Sequence, residues 1–284
     1  MRERPLLVFF HLRKTAGMTV RFVMARQFRR DAILTLDDWP TVEEANRIWN
    51  AIPADRRARI ECVQGHLAFG TELFAPRATI CFTMLRDPVE RVVSQYYYDR
   101  RQPETRFHTA LNRDRLTLEQ FVSDERFAEI HNMQTRTLAG VNANASPEEL
   151  LDAALGNLRD RIAMVGVSER LDESLLVCRA VFGWRRLIYR HANVTPRRPR
   201  LDAIAPETLA AIERANSLDR VLYRFACALL DQAMRKYRIT DAEVNALRRA
   251  SRVYSATRRM LGLPREAWHE TQKAIARRRI VINR

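Results

Sequence analysis

The sequence predicts an α/β fold in which a central, mostly parallel sheet is flanked by helices. Short apolar runs of strand type alternate with helical patterns, which is typical of a parallel sheet covered on both faces. With 46% hydrophobic and 29% charged residues, the 284-residue chain can also build a core. From Pro206 onward the pattern is helical almost to the end, so we expect a helical C-terminal extension.

The first part of the chain supplies three predicted strands and one early helix. The apolar run Leu6–Phe10 fits a buried parallel strand, and a turn over 14–19 leads into a helix at about 19–28. Residues 60–64 are a second strand candidate. The third, Thr79–Leu85, has the composition most typical of a strand.

A strong helix-start signal follows the third strand. Asp87 is a favoured N-cap residue and Pro88 stands at the first helical position, so we expect a helix to about residue 100. Ser146 before Pro147 is a second signal of this kind. The other predicted elements are helices at 116–123, 147–158 and 172–182, a strand at 163–167 and a further strand candidate at 186–189.

The helical region after Pro206 has an apolar face with i, i+3, i+4 spacing. The residues of this face are Leu218, Val221, Leu222, Phe225, Leu229 and Met234. The pattern breaks near 239–241, before a basic stretch. We therefore predict a domain over 1–240 and a basic helical extension over 241–284.

The net charge of +15 is concentrated at the two ends of the chain. Residues 1–30 and 241–284 are strongly basic, whereas 31–240 is close to neutral. Such ends suit a nucleic acid, a polyanionic small molecule, an acidic glycan or an anionic membrane surface. Arginine supplies most of the charge, and the lysines are Lys14, Lys236 and Lys273.

Neither a membrane span nor a disulfide framework is visible in the sequence. No apolar run reaches the roughly 18 residues that a transmembrane helix needs, and the N-terminal run is too short for a signal peptide. The cysteines are widely spaced among apolar neighbours, which predicts buried free thiols at Cys62, Cys81, Cys178 and Cys227. We expect a cytoplasmic protein that contacts a membrane at most peripherally and that can form an oligomer.

The turn after the first predicted strand has the form of an anion-binding site. Ligands bind at the carboxyl ends of parallel strands, where helix N-termini attract anions. Lys14 would supply a point charge and Gly17 a close backbone approach, with hydroxyl groups from Thr15 and Thr19. The lysine precedes the glycine, so this is not a Walker A loop, and an ordinary strand–helix turn remains the alternative.

The turn after the third predicted strand offers a second anion site. Arg86 stands at the end of the strand, and Ser94 lies two turns into the following helix. An arginine fork and a hydroxyl group can together hold a phosphate. Arg91 is a weaker candidate, because it could equally lie on a solvated helix face.

Together the two turns resemble motifs of the nucleotide-dependent sulfotransferases. Residues 14–19 match the K-T-x-[GS]-x-[ST] of that family's 5′-phosphosulfate loop, and residues 86–96 match its 3′-phosphate motif, R-D-P-x-x-R-x-x-S-x-Y. The chain is similar to the carbohydrate branch, typified by heparan sulfate 2-O-sulfotransferase and its bacterial relatives. The resemblance covers about residues 6–235, with further similar segments at 64–66, 132–140, 165–170 and 193–198.

This resemblance implies a P-loop-like sulfotransferase fold and a reaction. A sulfuryl group would pass from 3′-phosphoadenosine 5′-phosphosulfate to an acceptor hydroxyl by in-line displacement, without a metal ion. His66 would be the base, and Lys14 would stabilise the leaving group. The donor would be held by Lys14, Thr15, Ala16, Gly17, Met18 and Thr19 on its 5′ side, by Arg86 and Ser94 at its 3′-phosphate, and by Arg198 closing over the nucleotide.

The acceptor side is less well defined. The resemblance implies a glycan or glycolipid hydroxyl. Gln134 and Arg136 could face this acceptor or could equally have a structural role, and His11, three residues before Lys14, is a further candidate. Gln64 stands where the 2-O-sulfotransferase pattern has a second histidine, which leaves the acceptor class open.

Other functions also remain open at this level. A carboxylate, from Glu72 or Glu90, could replace His66 as base. The competing functions are an ATP-dependent, kinase-like phosphotransferase and a non-catalytic basic protein that binds nucleic acid or membrane. We expect no nucleic-acid partner.

Overall fold

The computed structural model describes residues 4–140, 145–190 and 199–261. Five parallel strands form one sheet in the order β2-β3-β1-β4-β5. The strands are β1 (Leu6–Phe10), β2 (Ile33–Thr35), β3 (Cys62–Gly65), β4 (Thr79–Leu85) and β5 (Ile162–Val167). The predicted α/β class, with a central parallel sheet flanked by helices, is therefore confirmed.

Helices make up most of the described chain. They are α1 (Gly17–Met24), α2 (Val42–Ala51), α3 (Ala54–Arg57), α4 (Pro88–Arg101), α5 (His108–Arg113), α6 (Leu118–Ser123), α7 (Met133–Ala139), α8 (Pro147–Asp160), α9 (Leu171–Phe182), α10 (Pro206–Ala215), α11 (Ser217–Lys236) and α12 (Asp241–Met260). The predicted N-caps are confirmed, since Asp87 accepts a hydrogen bond from the Glu90 N–H and Ser146 accepts one from the Glu149 N–H. None of these helices is both long and apolar enough to cross a membrane.

Two expectations about strands were wrong. The edge strand β2 was not predicted, and the described residues 183–190 form no strand. Side chains satisfy the backbone of this second segment instead. The Gln27 amide bonds the Arg185 N–H at 3.0 Å and the Arg186 carbonyl at 3.2 Å, while Ser251 Oγ accepts from the Tyr189 N–H at 3.3 Å. A segment held in this way needs no neighbouring strand.

The core follows the sheet. The interior strands are apolar on both faces, and Phe9 and Phe82 stack across β1 and β4 with 4.6 Å between ring centroids. A second apolar cluster joins α4, α6 and α10 and includes Val92, Phe121 and Ile212. This second cluster packs α4 against α6 and α10.

The C-terminal helices pack against the rest of the fold. The buried stripe of α11 is formed by Asp219, Leu222, Ala226 and Leu230, whereas Val221 of the predicted face is 40% exposed. The helix is therefore rotated from the predicted orientation. In α12, Val244 and Leu247 are buried, and Arg179 of α9 pairs with Glu243 at 2.5 Å. The first helix of the predicted basic extension is thus part of the packed structure.

Candidate active site

The carboxyl ends of all five strands meet at one edge of the sheet, and a cavity of about 1170 Å³ lies there. The loops after β1, β3 and β4 are adjacent because these strands are neighbours in the sheet. Among the predicted residues, the cavity is lined by His11, Lys14, Gly17, His66, Arg86 and Ser94. The two anion-binding turns and the predicted base therefore share one cavity.

The loop between β1 and α1 adopts an unusual backbone conformation. Lys14 and Ala16 both have left-handed backbones, with φ values of 67° and 62°. Thr15 lies between them, fully buried, and its hydroxyl donates to the Leu12 carbonyl at 2.9 Å. The Thr15 side chain therefore stabilises the loop and does not line the cavity. Ala16, Gly17, Met18 and Thr19 do line it, at the start of α1.

The Lys14 ammonium is held by an aromatic side chain. Its Nζ lies 3.6 Å from the centroid of the Tyr98 ring, close enough for a cation–π interaction. The sequence analysis did not single out Tyr98 as a site residue. However, Ser94 and Tyr98 are four residues apart on α4 and so lie on one helical face, which was the available signal. The structure places both of them at the cavity.

Arg86 joins the two anion-binding turns. Its Nη1 donates to the Lys14 carbonyl at 3.1 Å, and its other contacts are to carboxylates, 2.9 Å to Glu90 and 3.5 Å to Glu169. Tyr223 in turn donates to Glu169 at 3.2 Å. The guanidinium is thus fixed in orientation at the cavity wall. Glu90 is a partner of this cation, and Glu72, the other carboxylate considered as a base, does not line the cavity.

Gln134 does not face the cavity, contrary to the prediction that it contacts the acceptor. It is fully buried, and its side-chain amide bonds both the N–H and the carbonyl of Arg86, each at 2.9 Å. Its position therefore stabilises the turn that carries Arg86. Arg136 is exposed and lies at a second, smaller pocket, where it donates to the Glu129 carbonyl at 2.6 Å.

A buried polar network holds the segment that contains Gln134. Asp219 is fully buried and accepts from the Thr135 N–H at 2.7 Å, from its hydroxyl at 2.8 Å and from the Gln134 N–H at 3.2 Å. The guanidinium of Arg91, also buried, lies 4.0 Å from Asp219. Arg91 is therefore a structural ion-pair partner and does not lie on a solvated helix face.

His66 is the predicted base, and its tautomer is set by a backbone group. Its Nδ1 lies 2.7 Å from the His11 carbonyl oxygen. A carbonyl only accepts, so Nδ1 carries the proton and Nε2 is left with a lone pair. The ring stacks on His11 at 4.5 Å and on Trp39 at 5.7 Å. Burial lowers the pKa of His66 to about 4, although the nearby Asp37 carboxylate opposes that shift.

His11 forms the floor beneath the loop. It is only 4% exposed, and its Nδ1 has no partner within the described residues. A Cβ on Gly17 would lie 1.7 Å from His11 Cδ2, so Gly17 is required because the imidazole occupies that space. Burial, followed by the charges of Arg21 and His66, lowers the pKa of His11 well below its usual range.

Several cavity residues were missed by sequence reasoning. Asp99 is 1% exposed, accepts from Gln95 at 2.6 Å, and has a pKa raised by burial. Arg248 reaches the cavity from α12 and pairs with Asp172 at 3.1 Å. No motif carries the signal for Arg248, because only tertiary packing brings α12 to this site.

The remaining predictions have three different outcomes. Arg198 lies outside the described residues, so its proposed contact with the nucleotide stays a prediction. Cys62, Cys81 and Cys178 are buried free thiols as expected, whereas Cys227 is half-buried. Within the ranges that the structure describes, no group of three or more His, Cys, Asp and Glu side chains is placed to hold a metal ion.

An α/β sheet with two predicted anion-binding turns and a histidine at one cavity defines a candidate group-transfer enzyme. The family model for galactose-3-O-sulfotransferase matches residues 2–263. This match spans nearly the whole chain, so the chain belongs to the galactose-3-O-sulfotransferase family and is a sulfotransferase enzyme that acts on a carbohydrate acceptor. A search of the curated proteins finds no match.

Proposed function

We propose that the protein transfers a sulfuryl group from 3′-phosphoadenosine 5′-phosphosulfate to a carbohydrate hydroxyl, with His66 as base and Lys14 as the cation at the leaving group. The observation that carries this proposal is the shared cavity. His66, with its Nδ1 proton engaged by the His11 carbonyl, lines the same cavity as Lys14 and Arg86. A base and two cations around one space are what in-line transfer from a polyanion to a hydroxyl requires.

The residues present fit the anionic donor. No side chain within the described residues caps α1, and the Thr19 N–H already donates to the Ala16 carbonyl, so the N–H groups of Gly17 and Met18 are left for a ligand. Lys14, Arg86 and Ser94 add charged and hydroxyl donors at the same cavity. When bound, the donor would supply the sulfuryl group. Lys14, Ala16, Gly17, Met18 and Thr19 would hold its 5′ side, and Arg86 with Ser94 would hold its 3′-phosphate.

The proton and charge movements are assigned to two side chains. His66 Nε2 would take the acceptor proton, and Asp37 lies close enough to stabilise the imidazolium that results. Lys14 would stabilise the negative charge that develops on the leaving phosphate oxygen, a role for which a compact ammonium suits a single oxygen. The Tyr98 ring positions that ammonium.

Galactose is the acceptor unit that the family name suggests. A direct test combines binding with transfer. Isothermal titration with adenosine 3′,5′-bisphosphate should give tighter binding than ATP, and Arg86→Ala should weaken it. Radiolabelled donor, incubated with fractionated glycans, lipids and metabolites, should label a carbohydrate-containing fraction. Preferred binding of ATP, or label only in molecules without sugar, would overturn the proposal.

A further inference from the structure

We propose that α12 docks on an anionic lipid surface through a face that combines arginine and apolar side chains. This inference is independent of the proposed reaction. Four exposed residues recur at i, i+4, i+7 and i+11 along the helix and so form one row, and two further exposed arginines border that row. These six residues, which we call the outer face of α12, are Arg249, Arg252, Val253, Ala256, Arg259 and Met260.

The apolar side chains at this face are strongly exposed to solvent. Val253 is 65% exposed and Met260 is 85% exposed, and Leu261, directly after the helix, is 66% exposed. Within the described ranges, Leu73 is the one other large apolar side chain that is more than 60% exposed. Exposed apolar groups that cluster on a protein surface mark an interaction site. The clustering at the end of α12 therefore indicates a partner that has an apolar region.

The rest of the fold holds α12 in a fixed orientation. Arg179 of α9 pairs with Glu243 at 2.5 Å, near the start of α12. One turn further on, Arg248 pairs with Asp172 at 3.1 Å. The buried residues on the opposite side from the outer face are Val244, Leu247 and Ser251. Rolling the helix to bury its exposed apolar side chains would break these contacts, so the outer face stays directed away from the fold.

The outer face carries positive charge without a matching negative charge. The acidic residues of α12, Asp241 and Glu243, both lie in its first turn, away from the three arginines of the outer face. In the part of the chain that the structure describes, the ion pairs of α12 are those of Glu243 and Arg248. The arginines of the outer face are therefore available to an anionic partner.

Charge argues against two occupants that the protein itself could supply. A second copy of the chain carries a net charge of +15. Residues 262–284, which lie outside the described residues, contain six basic and two acidic side chains. Either would bring more positive charge to a face that is already positive, which is unfavourable. The occupant that complements the outer face is therefore anionic.

An anionic lipid surface matches both properties of the outer face. Its phosphate and carboxylate headgroups attract arginine, and its boundary with the acyl chains takes up exposed aliphatic side chains. A nucleic acid or an acidic polysaccharide offers the negative charge but no apolar layer for Val253 and Met260. The alternation of arginine with exposed aliphatic residues therefore favours lipid.

The test measures co-sedimentation of the full chain with vesicles of phosphatidylcholine, either alone or with roughly 30% phosphatidylserine. We expect partitioning into the anionic vesicles to be at least about tenfold stronger. The combined change Arg249→Gln, Arg252→Gln and Arg259→Gln should lower this partitioning by about tenfold or more. Val253→Ser with Met260→Ser should lower it by about tenfold, and that loss should persist at high salt, because salt does not screen apolar burial.

Matched controls remove the same groups elsewhere on the surface. Arg59→Gln, Arg113→Gln and Arg159→Gln together give the same change in net charge at side chains that are 54%, 70% and 64% exposed. Leu73→Ser removes an apolar side chain that is 68% exposed. Both control proteins should keep wild-type partitioning.

Four results would overturn the inference, with every variant confirmed as folded by circular dichroism. The first is equal partitioning of the wild type into both kinds of vesicle. The second is wild-type partitioning of both outer-face variants, which would assign lipid binding to another part of the chain. The third is a loss in the arginine variant alone, which would indicate a general polyanion site. The fourth is a dimer in sedimentation velocity that the serine variant abolishes. None of these results bears on the proposed transfer reaction.

Discussion

At the scale of single residues, His11 connects the proposed donor loop, residues 14–19, with His66, the proposed base. Its carbonyl oxygen accepts the Nδ1 proton of His66, and its ring occupies the space beside Gly17 at the start of α1. The charged Lys14 lies three residues further along the same loop. His11 therefore positions both the loop that would hold the donor and the histidine that would act on the acceptor.

The pH dependence of turnover should show that His66 is unprotonated across the neutral pH range. Burial lowers its pKa to about 4, so the base stays unprotonated at neutral pH. At saturating donor, kcat/KM for the acceptor should be flat from about pH 6 to 8 and fall only as pH approaches the pKa. His66→Ala should lose about 10²-fold or more in kcat at every pH. An acid limb near the ordinary histidine pKa of about 6.5 would contradict the buried-base assignment.

Lys14→Arg tests whether charge alone is enough at the leaving group. The guanidinium keeps the positive charge. However, it is planar and its charge is delocalised, so it does not replace the compact ammonium that Lys14 holds above the Tyr98 ring. We expect kcat to fall by about tenfold or more, with a smaller change in the affinity for adenosine 3′,5′-bisphosphate. Wild-type kcat in Lys14→Arg would show that a compact ammonium is not needed. Lys236→Arg, a change on α11 outside the cavity, is the matched control.

Gly17→Ala should damage the loop, because the added Cβ would meet His11 Cδ2 at 1.7 Å. We expect weaker bisphosphate binding together with a loss of about 1–3 kcal/mol in the free energy of unfolding. Gly156→Ala is the control. Gly156 lies inside α8 with no heavy atom within 4 Å of the added Cβ, so that change should stabilise by about 0.5–1 kcal/mol. Equal effects at the two glycines, measured by denaturant unfolding, would refute the steric argument.

Among the site residues, those within local motifs were predictable from sequence, and those brought in by packing were not. Lys14, His66 and Arg86 lie in the loops that follow predicted strands, Ser94 lies in the helix after one of these loops, and all four line the cavity. By contrast, Trp39 depends on two unusual backbone conformations. Gln134 was placed on the wrong side, because nothing local reveals that its amide clamps the Arg86 backbone.

At the scale of elements, α7 and α11 stabilise each other's N-termini. Asn132 accepts from the Leu218 N–H at 3.0 Å and donates its own N–H to Asn216 at 3.0 Å. Asp219 in the first turn of α11 accepts the N–H groups of Gln134 and Thr135 in α7. Both helix starts are thereby satisfied without solvent. This junction fixes Gln134 and, through it, the backbone of Arg86.

Asp219→Asn should break this junction. The amide leaves the buried Arg91 guanidinium without a compensating charge, so we expect a loss of about 3–5 kcal/mol in unfolding free energy. Bisphosphate affinity should also fall, because Gln134 no longer holds Arg86. Asp55→Asn on α3, whose side chain is 71% exposed, should change stability by less than about 0.5 kcal/mol. A loss below 1 kcal/mol in Asp219→Asn would argue against the buried pair.

Elements were predictable where the local pattern alone determines them. The strands Leu6–Phe10 and Thr79–Leu85 were predicted residue for residue, because the first is a continuous apolar run that is buried throughout and the second is rich in β-branched and apolar residues. The strand Ile33–Thr35 is three residues long and lies at the sheet edge, so its pattern is too short to recognise. The predicted strand at 186–189 has a suitable composition, but the side chains of Gln27, which follows α1, and of Ser251 in α12 bond the backbone of this segment.

At the scale of the whole molecule, two buried histidines link stability to pH. Burial lowers the pKa of both His11 and His66, so the unfolded chain binds more protons than the folded protein at mildly acidic pH. Their contribution is fully retained above the unfolded pKa of about 6.5 and is lost progressively as pH falls from there toward 4.

The unfolding free energy should therefore decrease between pH 7.5 and pH 5. Denaturant titrations at these two pH values should show a flatter dependence in His66→Asn than in the wild type, because one buried titrating group has been removed. His108→Asn, a change outside both cavities, should keep the wild-type slope. Identical slopes in His66→Asn and the wild type would rule out this linkage.

The cavity is built from both ends of the chain, and this has a consequence for synthesis. Lys14 comes from the first strand–helix turn, whereas Arg248 belongs to α12, the last helix described. A ribosome completes the donor loop long before it reaches Arg248. The wall that Arg248 and Asp172 form together can therefore close only when nearly the whole chain has been translated. A nascent or prematurely terminated chain would carry the loop without a finished cavity.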